Sequence, residues 1–575
     1  MRLGEALQIA GQPVGERQRH VHLLCGFEPL HLATFLKAYL RLRFPGDAIC
    51  VHTGLYGDLE GNIQRAAQKS AEGGVALIEW SDLDQRLGFR SSAGWRAQTL
   101  DDIAAQVEER CLRLETHLAA LARATPLTVI APTLPLPPLT HLPVFQTSTF
   151  ELRLNAILID FLQRVCQGKG IKLLNPASLA MSSPASARHD LQMDLVAGFP
   201  YTLTHADALA ELAVNCLFAA APKKGLITDL DQTLWKGILG DSGVEGVSWS
   251  LEDKSQVHAL YQQMLASLAE SGVLLAIASK NDPKLVETSL QRRDLLIQPE
   301  QIFPVDASWG AKSDAVGRIL KAWNIGPDSV VFVDDSPMEL AEVSEKYPAI
   351  ECLQFPSNDA AGILALLRQL RIRFGKEDIR EEDRLRLQSL RVAAQIESES
   401  PTEASPDFLS RLEAELTFDT SGTDHSRAFE LVNKTNQFNL NGARYSEAEW
   451  KSRLDRPGAF LTTVSYKDRF GPLGRIAVLG GYVKGDRCFV DIWVMSCRAF
   501  SRHIEFQTLR QLFAKYGASA VQFLFKPTER NGPLQTFLRR FLSPDAMAGE
   551  VLDLPAAVFS ESCPPLFHEV IDRWT

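Results

Sequence analysis

The chain has 575 residues, 45% of them hydrophobic and 23% charged, which is the balance of an ordinary globular protein rather than a disordered or membrane-embedded one. That length exceeds what one core supports, so roughly two to four domains are expected. The net charge of −10 argues against a protein held to nucleic acid by phosphate neutralisation.

The start, "MRLGEALQIAGQPVGERQRHVHLLCGF", carries its apolar run too late and too short for a signal peptide. No stretch approaches the ~18 apolar residues of a membrane span. The nine cysteines are scattered without a CxxC, a pattern suited to a reducing compartment. A cytoplasmic protein with no membrane partner is expected.

Residues 1–220 alternate short apolar runs ("AICVHT", "GVALIEW", "LTVIAP") with long amphipathic ones ("LDDIAAQVEERCLRLETHLAALARA", "FELRLNAILIDFLQRVCQ"). That alternation predicts an α/β domain with a largely parallel sheet, the Pro-rich stretch Pro132 to Pro143 being a loop within it. A second α/β unit is expected over 221–375. Residues 376–424 are charge-rich with a Ser/Pro/Glu break at 397–406, and read as a helical linker. From 425 to 575 an α+β unit is expected, opening on a helix and "NKTNQFNLNGARY".

The chemistry lies in the second unit, in four segments. "GLITDLDQT" is an apolar run entering a turn with Asp229, Asp231 and Thr233. It is either a buried strand ending in a polar turn or a catalytic site at the carboxyl end of a parallel strand. An aspartate can attack a phosphoryl group, and a second carboxylate two residues on can handle protons. "VLLAIASKND" ends a strand at Ser279, a hydroxyl placed to hydrogen-bond a phosphate oxygen, followed by Lys280 and Asn281. "WGAKSDAV" supplies Lys312, a compact cation suited to phosphoryl transfer. "SVVFVDDSPMELAEV" ends a strand at Asp334 and Asp335, oxygens suited to Mg²⁺. Alone, each is an ordinary turn, cap or surface residue. Their order, with three of the four terminating apolar strands, makes chance agreement a poor account.

In that order the segments resemble the four motifs of the haloacid dehalogenase (HAD) superfamily. The resemblance implies Asp229 as nucleophile, Asp231 as acid/base and Lys312 as a catalytic cation. Thr233, Ser279, Lys280 and Asn281 would bind substrate phosphate, and Asp229, Asp231, Asp334 and Asp335 would hold Mg²⁺, Asp335 the more direct of the last pair. The chain departs from the usual motif at Gln232, where relatives usually have Asn. Between Thr233 and Ser279 lie 45 residues, and between Ser279 and Lys312 only 32. Neither gap has room for a large cap, and "LWKGILGDSGVEGVSW" is expected to form a flap.

"DLDQTLWKGILGDSGVEGV", "LVNKTNQFN", "DRFGPLG", "MSCRAFSRHIE" and "FKPTERNGPLQTF" look like the FkbH-type branch of that superfamily (subfamily IIIC). The resemblance implies α/β multidomain architecture: a degenerate SGNH-like α/β domain (1–220), a HAD-like Rossmannoid core with minimal cap (221–375), a helical linker (376–424) and a C-terminal GNAT-like α+β domain (425–575). It further implies an enzyme that dephosphorylates a phosphorylated three-carbon acyl donor of the 1,3-bisphosphoglycerate class and loads glyceryl onto the phosphopantetheine arm of an acyl carrier protein in polyketide-type biosynthesis. A plain phosphatase of a small phosphorylated metabolite and a carrier-protein-binding scaffold are the alternatives.

Acyl loading ordinarily uses a thiol, yet no cysteine lies between Cys216 and Cys352, which leaves Cys497 in "SCR" as the possible acyl-thiol. The first domain has Cys25 after its first strand where an SGNH hydrolase would have serine, and no Asp-x-x-His near 189–207. It is read as non-hydrolytic. The third has Arg498 and Arg502 but no glycine between Ser496 and Phe506, against independent coenzyme A binding.

Overall fold

Val, Ile, Leu and Ala crowd the short runs bounded by Gly, Asp and Ser, and these runs become strands covered on both faces by amphipathic helices. The computed structural model describes residues 1–575 apart from 13–14, 16, 92–94, 358, 380–382, 384–385, 389, 392–408, 421–424, 436–437, 455–457, 470, 497–498, 500–501, 529–530 and 574–575. It divides into two units, Met1–Ala221 and Pro222–Thr575. No described helix is long and apolar enough to cross a membrane.

The first unit holds β1 (Gln18–Leu24), β2 (Ala48–Thr53), β3 (Gly73–Leu77), β4 (Leu127–Ile130) and β5 (Ile171–Leu173). They form one parallel sheet in the order β2-β1-β3-β4-β5. Central β3 is buried along its whole length. One face packs Val21 and Leu23 with Phe35, Leu36 and Leu209; the other packs Leu24 with Ile63, Val107, Leu114 and Phe161. Burying both faces stabilises the layer, each fully buried Leu or Phe by about 1.5–3 kcal/mol.

The second unit contains two sheets. The first is parallel: β6 (Gly225–Thr228), β7 (Leu274–Ser279), β8 (Ile302–Ala307), β9 (Val330–Asp334) and β10 (Glu351–Gln354), in the order β10-β9-β6-β7-β8. Strand β6 is therefore central, with β7 and β9 as neighbours. Gly225 opens it because a Cβ there would lie 2.4 Å from the ring of Trp323, the tryptophan that fills the sheet–helix layer. After β6, bridges Asp231↔Trp235 and Lys236↔Ser248, with Trp235, Leu239, Val247 and Trp249 buried, fold residues 235–249 into a small flap of the expected size.

The described residues between 383 and 391 are helical. Leu387 and Leu390 pack into the same core as Trp323 and Ile319, and Arg391 donates to the carbonyls of Pro299 and Ile302. That part of the expected linker is bound to the domain before it.

The last sheet comprises β11 (Glu415–Asp419), β12 (Phe438–Asn439), β13 (Ala459–Asp468), β14 (Gly471–Lys484), β15 (Arg487–Met495), β16 (Ala520–Leu524), β17 (Val551–Pro555) and β18 (Glu569–Arg573). Its path is β17-β16-β15-β14-β13-β11-β18, with β12 on β15. The start expected at 425 is corrected: β11 lies inside the supposed linker, its Leu416 and Phe418 buried in the sheet's core with Leu409 and Leu412. Within this α+β layer β15 and β16 are parallel and the β13-β14-β15 meander antiparallel.

Candidate active site

Because β6, β7 and β9 run parallel, the residues that end them emerge on one edge of the sheet. Asp229 follows β6 and its amide donates to Val333 O at 3.0 Å, which sets its carboxylate beside that of Asp334. Lys312, first residue of the helix Lys312–Trp323, reaches both: its Nζ lies 2.9 Å from Asp229 Oδ1 and also bonds Asp334. Asp229, Asp334 and Asp335 each offer an oxygen within 4.8 Å of the others. Among the described residues no other group of His, Cys, Asp and Glu converges three ligand atoms that tightly.

Burial pushes the Asp229 carboxyl up to about 7, against the pull of Lys312 and with Asp334 adding to the rise. Burial likewise raises Asp334, opposed by Lys312, and raises Asp335, aided by Asp334. Burial works against the Lys312 ammonium, but Asp229 and Asp334 outweigh it and hold its pKa above the ordinary value. Three carboxylates thus share one ammonium. All-oxygen donors of this kind suit a hard divalent cation, whose charge would favour the ionised carboxylates that burial resists.

The remaining expected residues separate into two groups. Ser279 and Asn281 are both buried; Asn281 Nδ2 lies 3.0 Å from Ser279 Oγ and donates to Asp231 Oδ2 at 3.0 Å. Lys280 is partly exposed and donates to Glu339 Oε1 at 2.8 Å. Thr233 differs from expectation. It is fully buried, and its Oγ1 accepts the amide of Asp335 at 3.1 Å, so it ties the β6 and β9 loops together rather than facing a substrate.

Asp231 also differs. Its carboxylate accepts from Trp235 Nε1 at 2.9 Å, from the Leu239 amide at 3.1 Å and from Asn281. Its side chain is held by the flap and does not join the three converging carboxylates. Gln232, at φ 55°, occupies the left-handed region, a backbone conformation uncommon for a residue other than Gly, Asn or Asp.

Sequence reasoning missed Glu339 and Trp235. Glu339 is buried in the first turn of the helix Pro337–Lys346 and anchors Lys280; its position four residues after Asp335 was the available signal. Trp235 was read only as flap.

Outside this edge, Cys25 is buried and donates to Phe27 O at 3.3 Å, and burial drives its thiol pKa far up, so it is no activated nucleophile. Cys352, on β10, is also raised by burial and then by Asp334. Cys497 and Arg498 lie outside the described residues. Arg502 is buried, its Nε 3.6 Å from Asp468 Oδ2. Of the amide-rich segment, Asn433 exchanges hydrogen bonds with Tyr445, and Asn439 Oδ1 accepts from the amides of Asn441 and Gly442; Asn436 and Gln437 lie outside the described residues. A cavity of about 410 Å³ beside Gly272, Val273 and Gln301 opens at the amino ends of β7 and β8, away from the carboxylates.

No family model matches the sequence, and no curated protein matches it significantly. Among solved structures, the N-terminal part of protein BF1531 from Bacteroides fragilis, described as containing a phosphatase domain complexed with Mg, aligns over 64% of this chain and 98% of that one at 19% identity and a TM-score of 0.51. The likeness is one of fold. An uncharacterised Corynebacterium glutamicum protein (16% identity, 27% of this chain, 98% of that chain, TM-score 0.19) also aligns. So does a GCN5-related glucosamine N-acetyltransferase region of a fungal multi-domain β-N-acetylglucosaminidase (10% identity, 94% of this chain, 66% of that chain, TM-score 0.17). Both scores are too low to carry an inference.

Proposed function

We propose that the chain is a Mg²⁺-dependent phosphatase of HAD type that works through an aspartyl-phosphate. The observation that carries this reading is the juxtaposition of Asp229, Asp334 and Asp335 around Lys312 at the carboxyl edge of a parallel sheet. A fold shared with a phosphatase domain complexed with Mg supports it. Asp229 and Asp335, with Asp334 beside them, would hold the ion, which when bound supplies charge neutralisation for phosphate and nucleophile together.

In this reading Asp229 attacks phosphorus, the bond to the leaving oxygen breaks, and Asp231 protonates that oxygen if it leaves as an alkoxide. Water, deprotonated by Asp231, then releases inorganic phosphate and restores Asp229. Lys312 holds Asp229 in place and offsets charge as it builds on the phosphoryl oxygens. For Asp231 to act, its bonds to Trp235, Leu239 and Asn281 must loosen, which couples the proton step to the flap.

The finer reading is that the donor is a three-carbon acyl phosphate of the 1,3-bisphosphoglycerate class: Asp229 would remove the phosphate on its terminal hydroxyl, and the phosphopantetheine thiol of an acyl carrier protein would attack the acyl carbon, expelling the acyl phosphate as inorganic phosphate and leaving glyceryl as a thioester. The flap spans only residues 235–249, too few for a large cap, which suits a substrate presented on a carrier-borne arm. Phosphate release without acyl transfer is the second reading, favoured by the lack of an activated thiol among the described cysteines near the site. Intact-protein mass spectrometry decides: the enzyme is incubated with Mg²⁺, 1,3-bisphosphoglycerate and carrier proteins while free phosphate is assayed. A glyceryl mass on a carrier, abolished by Asp229→Asn, is the expected result, and Cys497→Ala tests a protein thiol. Phosphate release with every carrier unmodified selects the phosphatase; neither product overturns both.

A further inference from the structure

Strands β8 and β9 each lead into a turn that carries one large apolar side chain outward. Trp309 follows β8 and Met338 follows β9, and each is 73% exposed. Both stand among residues of the site: Trp309 is three residues before Lys312, and Met338 lies between Asp335 and Glu339. A lone exposed apolar residue is ordinary; two that flank one site form a surface for something to cover.

Both are held in place. The Ser308 amide donates to Ser279 O at 3.0 Å. Arg318 bonds Asp306 at 2.7 and 2.9 Å and Ser308 Oγ at 3.2 Å, which braces the turn on which Trp309 stands. In the helix Pro337–Lys346, Met338 and Glu342 are four residues apart and share a face. Glu342 Oε1 accepts the Ser313 amide at 3.0 Å, so that face is turned toward the start of the helix Lys312–Trp323. Met338, one turn nearer the strand ends, is therefore on the side of the turn carrying Trp309. Val316, Ile319 and Val343 of these two helices pack on one face of the sheet with Phe332. The flap residues Trp235, Leu239 and Trp249 pack on the other, with Leu226 and Val331. The site is thus bounded by the flap on one side and by Trp309 and Met338 on the other.

We propose that Trp309 and Met338 seat the pantetheine arm of the acyl acceptor and hold its thiol beside the acyl carbon of the donor, an inference that rests on the transfer reading above. The donor itself does not suit them, since it carries phosphate at both ends and a hydroxyl between. The arm is the uncharged reactant, a chain of methylenes and amides with a branched dimethyl head. An indole face covers such a chain and its amide planes, and a thioether adapts to its contour. Apolar walls beside a few placed polar groups are the usual make-up of a site for a ligand of this kind.

The test uses the full-length protein with Mg²⁺, 1,3-bisphosphoglycerate as donor and D-pantetheine as acceptor, glyceryl-pantetheine being read by mass spectrometry over an enzyme-free blank. Trp309→Ala and Met338→Ala should each raise the pantetheine concentration for half-maximal thioester formation by roughly tenfold or more, the scale of losing an anchoring side chain. The rate at saturating pantetheine should move far less, and the melting temperature should not move, because both side chains stand in solvent. A second readout needs no turnover: D-pantetheine should quench the fluorescence of the native protein more than that of Trp309→Phe. Thioester formed with the same half-saturation in both alanine variants overturns this inference and leaves the transfer reading standing. No thioester from the native protein overturns the transfer reading, and the fluorescence difference then decides the seat of the arm: quenching that depends on Trp309 supports it, and equal quenching or none overturns it.

Discussion

Lys312 is the residue on which the carboxyl edge turns, because it is the cation bonded to both Asp229 and Asp334. Lys312→Met keeps most of the volume and removes the charge. At pH 8 without Mg²⁺ it should destabilise the protein by about 3–5 kcal/mol, the cost of breaking a buried pair from one side, as read by urea unfolding. At pH 5 the loss should shrink, because the stranded carboxylates take up protons. Asp229→Asn should leave the fold intact and lower phosphate release by roughly 10⁴-fold or more, on the scale of removing a nucleophile elsewhere.

The unsubstituted site titrates in a definite direction. The folded Asp229 pKa is raised from 3.8 to about 7, so the folded state holds protons that the unfolded state releases. That contribution to stability is complete below the unfolded value and is lost as pH rises through this window. In EDTA the melting temperature should therefore fall between about pH 4 and 7, and the increment given by saturating Mg²⁺ should grow over the same interval. Differential scanning fluorimetry with and without Mg²⁺ isolates the effect, since buried carboxyls elsewhere, such as Glu79, whose pKa burial raises, have no metal response. An increment flat in pH would sink this account.

At the scale of elements, the strand ends bearing Asp229, Ser279 and Asp334 were legible because an apolar run stopping at a polar residue is a strong local signal. The flap was legible from its length. What no local pattern announces is where a side chain turns. Thr233 reads as a phosphate ligand by position, yet it clamps Asp335, and Asp231 is captured by Trp235 and Leu239 from the flap. Both depend on contacts between loops brought together only by the sheet. Strand β11 was hidden for a different reason. Its five residues alternate buried Leu416 and Phe418 with Glu415, Thr417 and Asp419, a period-2 signal too short to stand out in a charged stretch. Gly225 makes the packing argument testable: Gly225→Ala presses a Cβ on the Trp323 ring and should cost about 1–3 kcal/mol, as overpacking does. Urea unfolding followed by tryptophan fluorescence measures it, and a neutral substitution would show that Trp323 has room to move.

At the scale of the molecule, each sheet is assembled from one continuous stretch of chain, but the last alone pairs its first strand with its final one. Strand β11 pairs on one side with β13 and on the other with β18, in parallel, Glu415 opposite Glu569 and Asp419 opposite Arg573. A chain ending at Phe567 would therefore leave β11 as a bare edge, a template for pairing with another copy. It should elute by size-exclusion chromatography as dimers or larger species where the full chain does not. An unchanged elution volume would mean that β18 guards nothing.

The same pairing imposes an order on folding. During synthesis each parallel sheet has all its strands available once its own segment has been made, and each can close while later residues are still being added, as domains made early generally do. Six strands of the last sheet are made between β11 and its outer neighbour β18, so β11 waits for the whole of that segment before its outer side is paired. Until β18 arrives, β11 offers its open edge to the cell's chaperones and proteases, an exposure that neither parallel sheet imposes on its first strand for so long a stretch of synthesis.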